Sequence, residues 1–158
     1  GGYADVVRHK GDGNVRRTYC EGGVSVIDIE STVFDAVAKT FTAAYPKGSR
    51  YGEEVDTPVS FPCITLIESD NYTYEKSLTD EMREHHANLM YTLNIYSNKT
   101  SGAKQECKAI LVLLDEKMQS LGFVRTMKAQ TKNQDSKIYR ITARYRAVVS
   151  DDYRIYRR

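Results

Sequence analysis

The clearest pattern of hydrophobic and polar positions lies between Leu89 and Val149 and predicts a strand, a helix and a two-stranded hairpin. From Leu89 to Ile95 hydrophobic residues occupy every second position, which is typical of a strand with one buried face. After Gly102 they recur at intervals of three and four, as on one side of an amphipathic helix. These helical positions are Ala103, Cys107, Ile110, Leu111, Leu114, Met118 and Leu121. The rest of the chain is expected to pack against this unit.

The last long strand of this unit also alternates with a period of two. One face is predicted to carry Tyr139, Ile141, Ala143, Tyr145, Ala147 and Val149, and the other Arg140, Thr142, Arg144 and Arg146. Lys128 falls on the strand that is expected to pair with it. A cationic row on a sheet has three interpretations, which the sequence leaves open. It can be solvated, it can face acidic residues of another subunit, or it can line a path for nucleic acid.

The first half of the chain predicts one helix and one inner strand. Hydrophobic residues at helical spacing run from Ile27 to Ala44. The next segment, Ser49 to Pro62, is predicted to be irregular, because Pro58 and Pro62 exclude a central strand there. From Cys63 to Glu68 hydrophobic residues occur on both faces, which predicts an inner strand covered on both sides.

A hairpin that projects from the body is predicted between this strand and Leu89. From Asn71 to Lys76, Tyr72 and Tyr74 alternate with polar residues. The residues from Leu78 to Glu84 are charged and lack the periodicity of a core element. We therefore expect the chain to run outward along the tyrosine-containing strand and to return through His85.

The two ends of the chain are predicted to lie outside the main domain. Residues 1–23 are rich in glycine and lack sustained hydrophobic periodicity, which favours an extended N-terminal arm. Residues 151–158 form a short C-terminal tail whose Tyr153 and Tyr156 are of a type favoured in interfaces. The domain between them, residues 24–150, is predicted to be α+β, with a mixed or antiparallel sheet and two helices packed on one face.

Composition gives only weak information about function. A length of 158 residues predicts one domain, and a formal net charge of +2 favours no particular partner. Twelve tyrosines with no tryptophan suit contact surfaces and partly exposed sheet faces. The three cysteines are widely spaced and form no C-x-x-C motif, so neither a zinc ribbon nor a disulfide framework is predicted, and folding in a reducing cytoplasm fits best. No hydrophobic run reaches the length of a membrane span.

The search for catalytic residues predicts no catalytic, cofactor or metal site. His85 and His86 are adjacent, so on a strand they point to opposite faces and cannot bind one metal ion together. Glu53, Glu54 and Asp56 are close in sequence but lie in a loop, whereas a metal site would need more acidic ligands on a rigid frame. A structural or binding protein is therefore expected. An enzyme remains an alternative, and it would need a clustered acidic or Cys-His site in the fold.

The order of these elements resembles the tail terminator (tail completion, minor capsid) proteins of tailed bacteriophages. The resemblance covers roughly Val26 to Val149 and rests on element order and diffuse patterns. Its quoted segments are Phe61-Pro62-Cys63-Ile64-Thr65-Leu66, Tyr91-Thr92-Leu93-Asn94-Ile95-Tyr96-Ser97, Met118-Gln119-Ser120-Leu121-Gly122-Phe123 and Lys137-Ile138-Tyr139-Arg140-Ile141-Thr142-Ala143-Arg144-Tyr145. The N-terminal arm is longer than the family pattern.

The resemblance implies a structural virion protein, assembled in the host cytoplasm and located at the tail–neck junction. It would form a homo-hexameric ring that caps the tail tube, ends tail polymerisation and joins the tail to the head connector. The implied partners are the tail tube protein, the head–tail connector protein, the sheath protein in a contractile tail, and DNA passing through the ring lumen, with no cofactor and no membrane.

The residues expected at subunit or partner interfaces come from the hairpin, the arginine face and the tail. They are Tyr72, Tyr74, Glu75, Lys76, Glu81, Arg83, Arg140, Arg144, Arg146, Tyr153 and Tyr156. The alternative function is that of another neck or head–tail connector component, which contacts DNA through the arginine-rich face of the sheet.

Overall fold

The computed structural model describes residues 7–9, 15–19, 25–73, 86–133 and 135–150. In this part of the chain a five-stranded mixed sheet and two helices form an α+β fold, which confirms the predicted fold class. In chain order the elements are β1 (Val7–His9), β2 (Val15–Tyr19), β3 (Ser25–Asp28), α1 (Glu30–Ala44), β4 (Ser49–Tyr51), β5 (Cys63–Thr73), β6 (His86–Ser97), α2 (Ala103–Ser120), β7 (Val124–Gln130) and β8 (Tyr139–Ser150).

The main sheet has the strand order β4-β5-β6-β8-β7. Strands β6 and β8 lie at its centre and pair antiparallel over their whole length, from His86 opposite Ser150 to Ser97 opposite Tyr139. Strand β5 also pairs antiparallel with β6, and β7 pairs antiparallel with β8. Only the short β4 runs parallel to its neighbour. The strands predicted at the centre of the fold are therefore the strands found there.

The hydrophobic core lies between the main sheet and the two helices. On β6 every second residue from Ala87 to Ile95 is buried in it, as the alternation predicts. Helix α2 contributes Cys107, Ile110, Leu111, Leu114 and Met118, and α1 contributes Val33, Val37 and Phe41. Each large aliphatic side chain buried in this way contributes about 1.5–3 kcal/mol to folding. The opposite face of the sheet, called the open face below, is not covered by either helix.

The beginning of α1 differs from the prediction. The helix starts at Glu30 rather than at Ile27, because Ser25–Asp28 forms β3. Ile29 occupies the N-cap position without a side-chain cap, and the carboxylate of Asp28 accepts a hydrogen bond from the backbone N–H of Glu30 at 3.0 Å. Ala44, predicted in the buried stripe, is exposed, because it is the last residue of the helix.

The segment predicted as an extended N-terminal arm contains two strands within its described residues. Strands β1 and β2 pair antiparallel with each other, and β2 pairs antiparallel with β3, so that the three form a second sheet. The extended arm is therefore not confirmed. Residues 10–14 and 20–24 lie outside the described residues.

Two further predictions about the middle of the chain were wrong. The region predicted to be irregular includes β4, whose three residues are too few to give a recognisable period. The tyrosine-containing strand is not separate, because β5 continues from Cys63 to Thr73 through a bulge between Glu68 and Asp70. Residues 74–85, which would form the projecting part of the hairpin, lie outside the described residues.

Candidate interaction surface

The three arginines of β8 lie on the open face of the sheet, as the alternation predicts. In the antiparallel register Arg140 is opposite Tyr96, Arg144 is opposite Thr92, and Arg146 is opposite Met90. Directly opposed residues project to the same side of a sheet, so the arginines of β8 and the residues opposite them on β6 form one surface. Arg144 and Arg146 are exposed on it.

Arg140 is held in place by its neighbours, unlike the other two arginines. Its Nε and Nη2 both donate hydrogen bonds to Oδ1 of Asn94, at 3.1 and 2.9 Å. Its guanidinium carbon also lies 5.3 Å from the centre of the Tyr96 ring, within the range of a cation–π contact. Because these contacts order the side chain and half bury it, Arg140 contributes a fixed positive charge to the open face.

Asn94 connects Arg140 to a buried polar network that crosses three strands. Its Oδ1 also accepts a hydrogen bond from the hydroxyl of Thr142 at 2.7 Å, and its Nδ2 donates to the hydroxyl of Thr65 at 3.2 Å. Thr131, just after β7, donates to Thr142 at 2.7 Å. Asn94 and Thr65 have no exposed surface, so the bonds from Asn94 to Thr65 and Thr142 form away from water. A satisfied buried network of this kind fixes the relative positions of the strands.

The open face is contacted by other parts of the chain near β4. Tyr51 is beside Thr65 in the parallel register and therefore lies on this face, and its hydroxyl accepts a hydrogen bond from the backbone N–H of Val59 at 3.3 Å. Burial raises the pKa of Tyr96. The positive charge of Arg140 lowers this pKa and the negative charge of Glu54 raises it, so Glu54 also lies near the Tyr96 end of the open face. The exposed part of the open face is the end that carries Arg144 and Arg146.

Tyr72 is the one hairpin residue among the predicted interface residues that the structure describes. It is opposite Asn88 on the open face, and 53% of its surface is exposed. Tyr72 therefore shares a face with the arginines, which the sequence did not predict. The remaining predicted interface residues, Tyr74, Glu75, Lys76, Glu81, Arg83, Tyr153 and Tyr156, lie outside the described residues.

Lys128 lies on β7, the hairpin partner of β8, as predicted, but on the helix-covered side of the sheet. It is opposite Ala143, whose side chain is buried in the core. The cause is a bulge at Thr126, where the register shifts between Arg125 and Met127. A bulge adds one residue to a strand and reverses the faces of the residues that follow. Lys128 is exposed at the edge of the sheet.

The loop carboxylates considered in the sequence do not form a cluster. Glu53, Glu54 and Asp56 are all exposed. Among the described residues no group of three or more histidine, cysteine, aspartate or glutamate side chains is placed to hold a metal ion. Cys63 and Cys107 are buried free thiols, and burial raises the pKa of the Cys107 thiol to about 12, so it stays protonated at neutral pH.

An acidic groove at the β4 edge was not predicted from the sequence. It has a volume of about 620 Å³ and is lined by Asp28, Glu30, Asp35, Arg50 and Glu53, among others. Burial, with the charges of Asp28 and Glu53, raises the pKa of Glu30. No local sequence pattern indicates this groove, because its carboxylates come from the end of β3, from α1 and from the loop after β4.

Two tyrosines of the core donate hydrogen bonds to carboxylates on the helix-covered side of the sheet. Tyr91 and Tyr145 are opposite each other on β6 and β8. The hydroxyl of Tyr91 donates to Glu68 at 3.1 Å, and that of Tyr145 donates to Asp115 of α2 at 2.7 Å. Burial raises the pKa of Glu68 to about 7, with further contributions from Glu30 and Asp28.

No protein-family model matches this sequence, and no curated protein matches it significantly. Neither helix of the described residues is long and hydrophobic enough to cross a membrane.

Proposed function

We propose that this chain is a subunit of a bacteriophage tail terminator ring. The ring caps the tail tube, ends its polymerisation and joins the tail to the head connector. The subunit acts by binding and by geometry, with no cofactor. It works at the tail–neck junction of the virion, in contact with the tail tube protein, the connector protein and, in a contractile tail, the sheath protein.

The observation that carries this proposal is the open face of the sheet. It presents Arg144 and Arg146 to solvent, and beneath the neighbouring Arg140 lies the buried network of Asn94 and Thr142. A polar surface on a rigid sheet is suited to repeated contact with other subunits, because little conformational entropy is lost when it binds.

The fold class and the element order also support the proposal. The resemblance implied an α+β subunit, and the chain has that fold. From α1 onward a helix is followed by the short β4, then by a strand that follows a proline, its long antiparallel return, a second helix and a final hairpin. Fold and order are shared by proteins of many functions, so they add to the argument from the open face and do not replace it.

Binding of DNA along the open face is the second candidate function. Arg144 and Arg146 are two residues apart on one strand and point to the same side. Two such guanidinium groups can contact neighbouring phosphates of a nucleic acid backbone. In this alternative Arg144 and Arg146 line the lumen of the ring, and they are then not buried between subunits.

Electron microscopy of the purified protein, alone and mixed with tail tubes of its phage, tests the proposal. Rings of one defined subunit number are expected in the sample of the protein alone, and the same rings are expected at tube ends. Native mass spectrometry gives the subunit number, for which the resemblance implies six. A strict monomer that leaves every tube end bare would overturn the proposal.

A further inference from the structure

The β7 edge of the main sheet is positively charged. Six of the seven residues of β7 are exposed, and among the described strands none pairs with its outer edge. Lys128 projects from the helix-covered side of this edge, and Arg144 and Arg146 of the adjacent β8 lie on the open face. We call these three exposed residues the cationic edge. Arg125 is not part of it, because its guanidinium forms an ion pair with Asp115 at 3.1 Å.

The opposite edge of the same sheet, at β4, carries the acidic groove. Four carboxylates line it, those of Asp28, Glu30, Asp35 and Glu53, against the single guanidinium of Arg50. Two of these carboxylates act on a third, since the charges of Asp28 and Glu53 raise the pKa of Glu30 together with burial. Positive groups placed in the groove would relieve this repulsion.

We propose that the cationic edge of one copy docks against the acidic groove of the next copy, so that the subunits associate head to tail. The inference rests on the proposed ring and names its interface. The two surfaces lie at opposite edges of a five-stranded sheet, separated by four strand spacings or about 19 Å. One copy therefore cannot satisfy both of its own surfaces.

A contact between two different surfaces has a direct geometric consequence. Such a heterologous contact repeats from copy to copy and closes into a ring when the rotation allows, whereas a self-complementary surface gives only a dimer. Among the described residues, no strand pairs with the backbone N–H and C=O groups on the outer edge of β7, and such exposed edges tend to be covered by association. The neighbouring copy brings its own polar groups and negative charges to this edge.

A charge-swap experiment on the full-length chain tests the interface. In variant A, Lys128→Glu and Arg144→Glu reverse the cationic edge. In variant B, Asp35→Lys and Glu53→Lys reverse the acidic groove. All four side chains are exposed, so both variants are expected to fold. A control variant, Lys104→Glu with Lys108→Glu, makes the charge change of variant A on the exposed surface of α2.

Native mass spectrometry and light scattering at low and high salt give the readout. The wild type and the control are expected to assemble, and salt is expected to weaken the assembly. Variants A and B alone are expected to assemble at least about tenfold more weakly, because like charges then meet. An equimolar mixture of A and B is expected to assemble again, with the two variants in equal numbers, since each contact is complementary once more.

The outcomes of this experiment distinguish a failure of the interface from a failure of the proposed ring. If the wild type assembles and variants A and B assemble equally well, the interface is overturned and the ring stands. If A and B fail and their mixture does not recover, the interface is also overturned. If the wild type stays monomeric in solution and forms no ring on tail tubes, both the proposed ring and the proposed interface are overturned. If a double variant does not fold, the single variants Arg144→Glu and Glu53→Lys replace it.

Discussion

The amide oxygen of Asn94 accepts two hydrogen bonds from the guanidinium of Arg140, at 3.1 and 2.9 Å. Both residues lie on the open-face side of the sheet, but Asn94 on β6 has no exposed surface, whereas Arg140 on β8 is only half buried. This pair joins the buried interior of the sheet to its charged surface. Of the three arginines in the row, Arg140 therefore has a structural role, and Arg144 and Arg146 remain exposed for a partner.

Replacing Asn94 by alanine is expected to destabilise the fold. The hydroxyls of Thr65 and Thr142 lose a buried partner, and the loss of such bonds costs about 3 kcal/mol. Chemical denaturation measures the change in the free energy of unfolding. Asn88→Ala is the control, since Asn88 is on the same strand and face but is only half buried, and it is expected to cost less than about 1 kcal/mol. Equal losses in the two variants would contradict a special role of the Asn94 network.

The three arginines are expected to respond differently when each is replaced by alanine. Arg144→Ala and Arg146→Ala should leave the melting temperature unchanged, because both side chains are exposed. Arg140→Ala should lower the melting temperature, because it removes the bonds to Asn94. Differential scanning calorimetry separates these outcomes. A uniform effect across the row would mean that Arg140 is not fixed as described.

The same variants test whether the open face binds DNA. Binding of a duplex to the wild type is expected to weaken as salt is raised, and each of Arg144→Ala and Arg146→Ala should reduce the salt slope by about one. Fluorescence anisotropy over a salt series measures this slope. Lys104→Ala, on the exposed side of α2, is the control and should leave the slope unchanged. Absence of salt-dependent binding would remove DNA as a direct ligand of this face.

Asp115 is expected to stabilise the packing of α2 on the sheet. One of its oxygens accepts hydrogen bonds from the hydroxyl of Tyr145 at 2.7 Å and from Arg125 at 3.1 Å. In Asp115→Ala the buried hydroxyl of Tyr145 loses its acceptor, so a loss of about 2 kcal/mol is expected in denaturant titrations. The exposed neighbour gives the control Glu116→Ala, which should change stability by less than about 0.5 kcal/mol. A loss no larger than that of the control would show that α2 does not depend on this bond.

Stability is expected to fall with rising pH because of Glu68. Burial raises the pKa of Glu68 from 4.5 to about 7 in the folded protein. Between these two values the folded state keeps a proton that the unfolded state releases, so the free energy of unfolding decreases as the pH rises through this window and then levels off. The carboxyl is only half buried, and after allowance for solvent screening the effect is about 1 kcal/mol.

Denaturation at pH 5 and at pH 8 measures this effect in the wild type and in Glu68→Gln. The glutamine variant cannot ionise, so it should lose less stability than the wild type between the two pH values. Glu54→Gln is the matched control on an exposed side chain and should behave as the wild type. The same pH dependence in Glu68→Gln and wild type would show that another group titrates.

The centre of the fold could be predicted because its elements are long and strictly periodic. Strands β6 and β8 are each 12 residues long and bury every second residue from Ala87 to Ile95 and from Ile141 to Val149, and α2 carries a hydrophobic stripe over 18 residues. Strand β4 could not be predicted, since three residues next to a longer parallel strand give no period. The start of α1 was missed because β3 ends at Asp28, two residues before the helix begins.

Only the part of the candidate surface that lies along a single strand, β8, was predicted from the sequence. The shared face of Arg140, Arg144 and Arg146 follows from alternation along β8. Two bulges decide faces that the sequence did not predict, since the bulge at Thr126 places Lys128 on the helix-covered side and the one before Asp70 places Tyr72 on the open face. The acidic groove depends on contacts between separate segments, which no local pattern in the sequence records.

Tail tube polymerisation in the presence of this protein tests the proposed function most directly. Tail tube protein encoded by the same genome as this chain is polymerised with increasing amounts of the purified chain, and tube lengths and ends are measured by electron microscopy. We expect the tubes to become shorter as the chain is added, and each stopped tube to carry one ring at an end. Tubes that grow to their usual length with bare ends, at every amount of the chain, would contradict the proposed function.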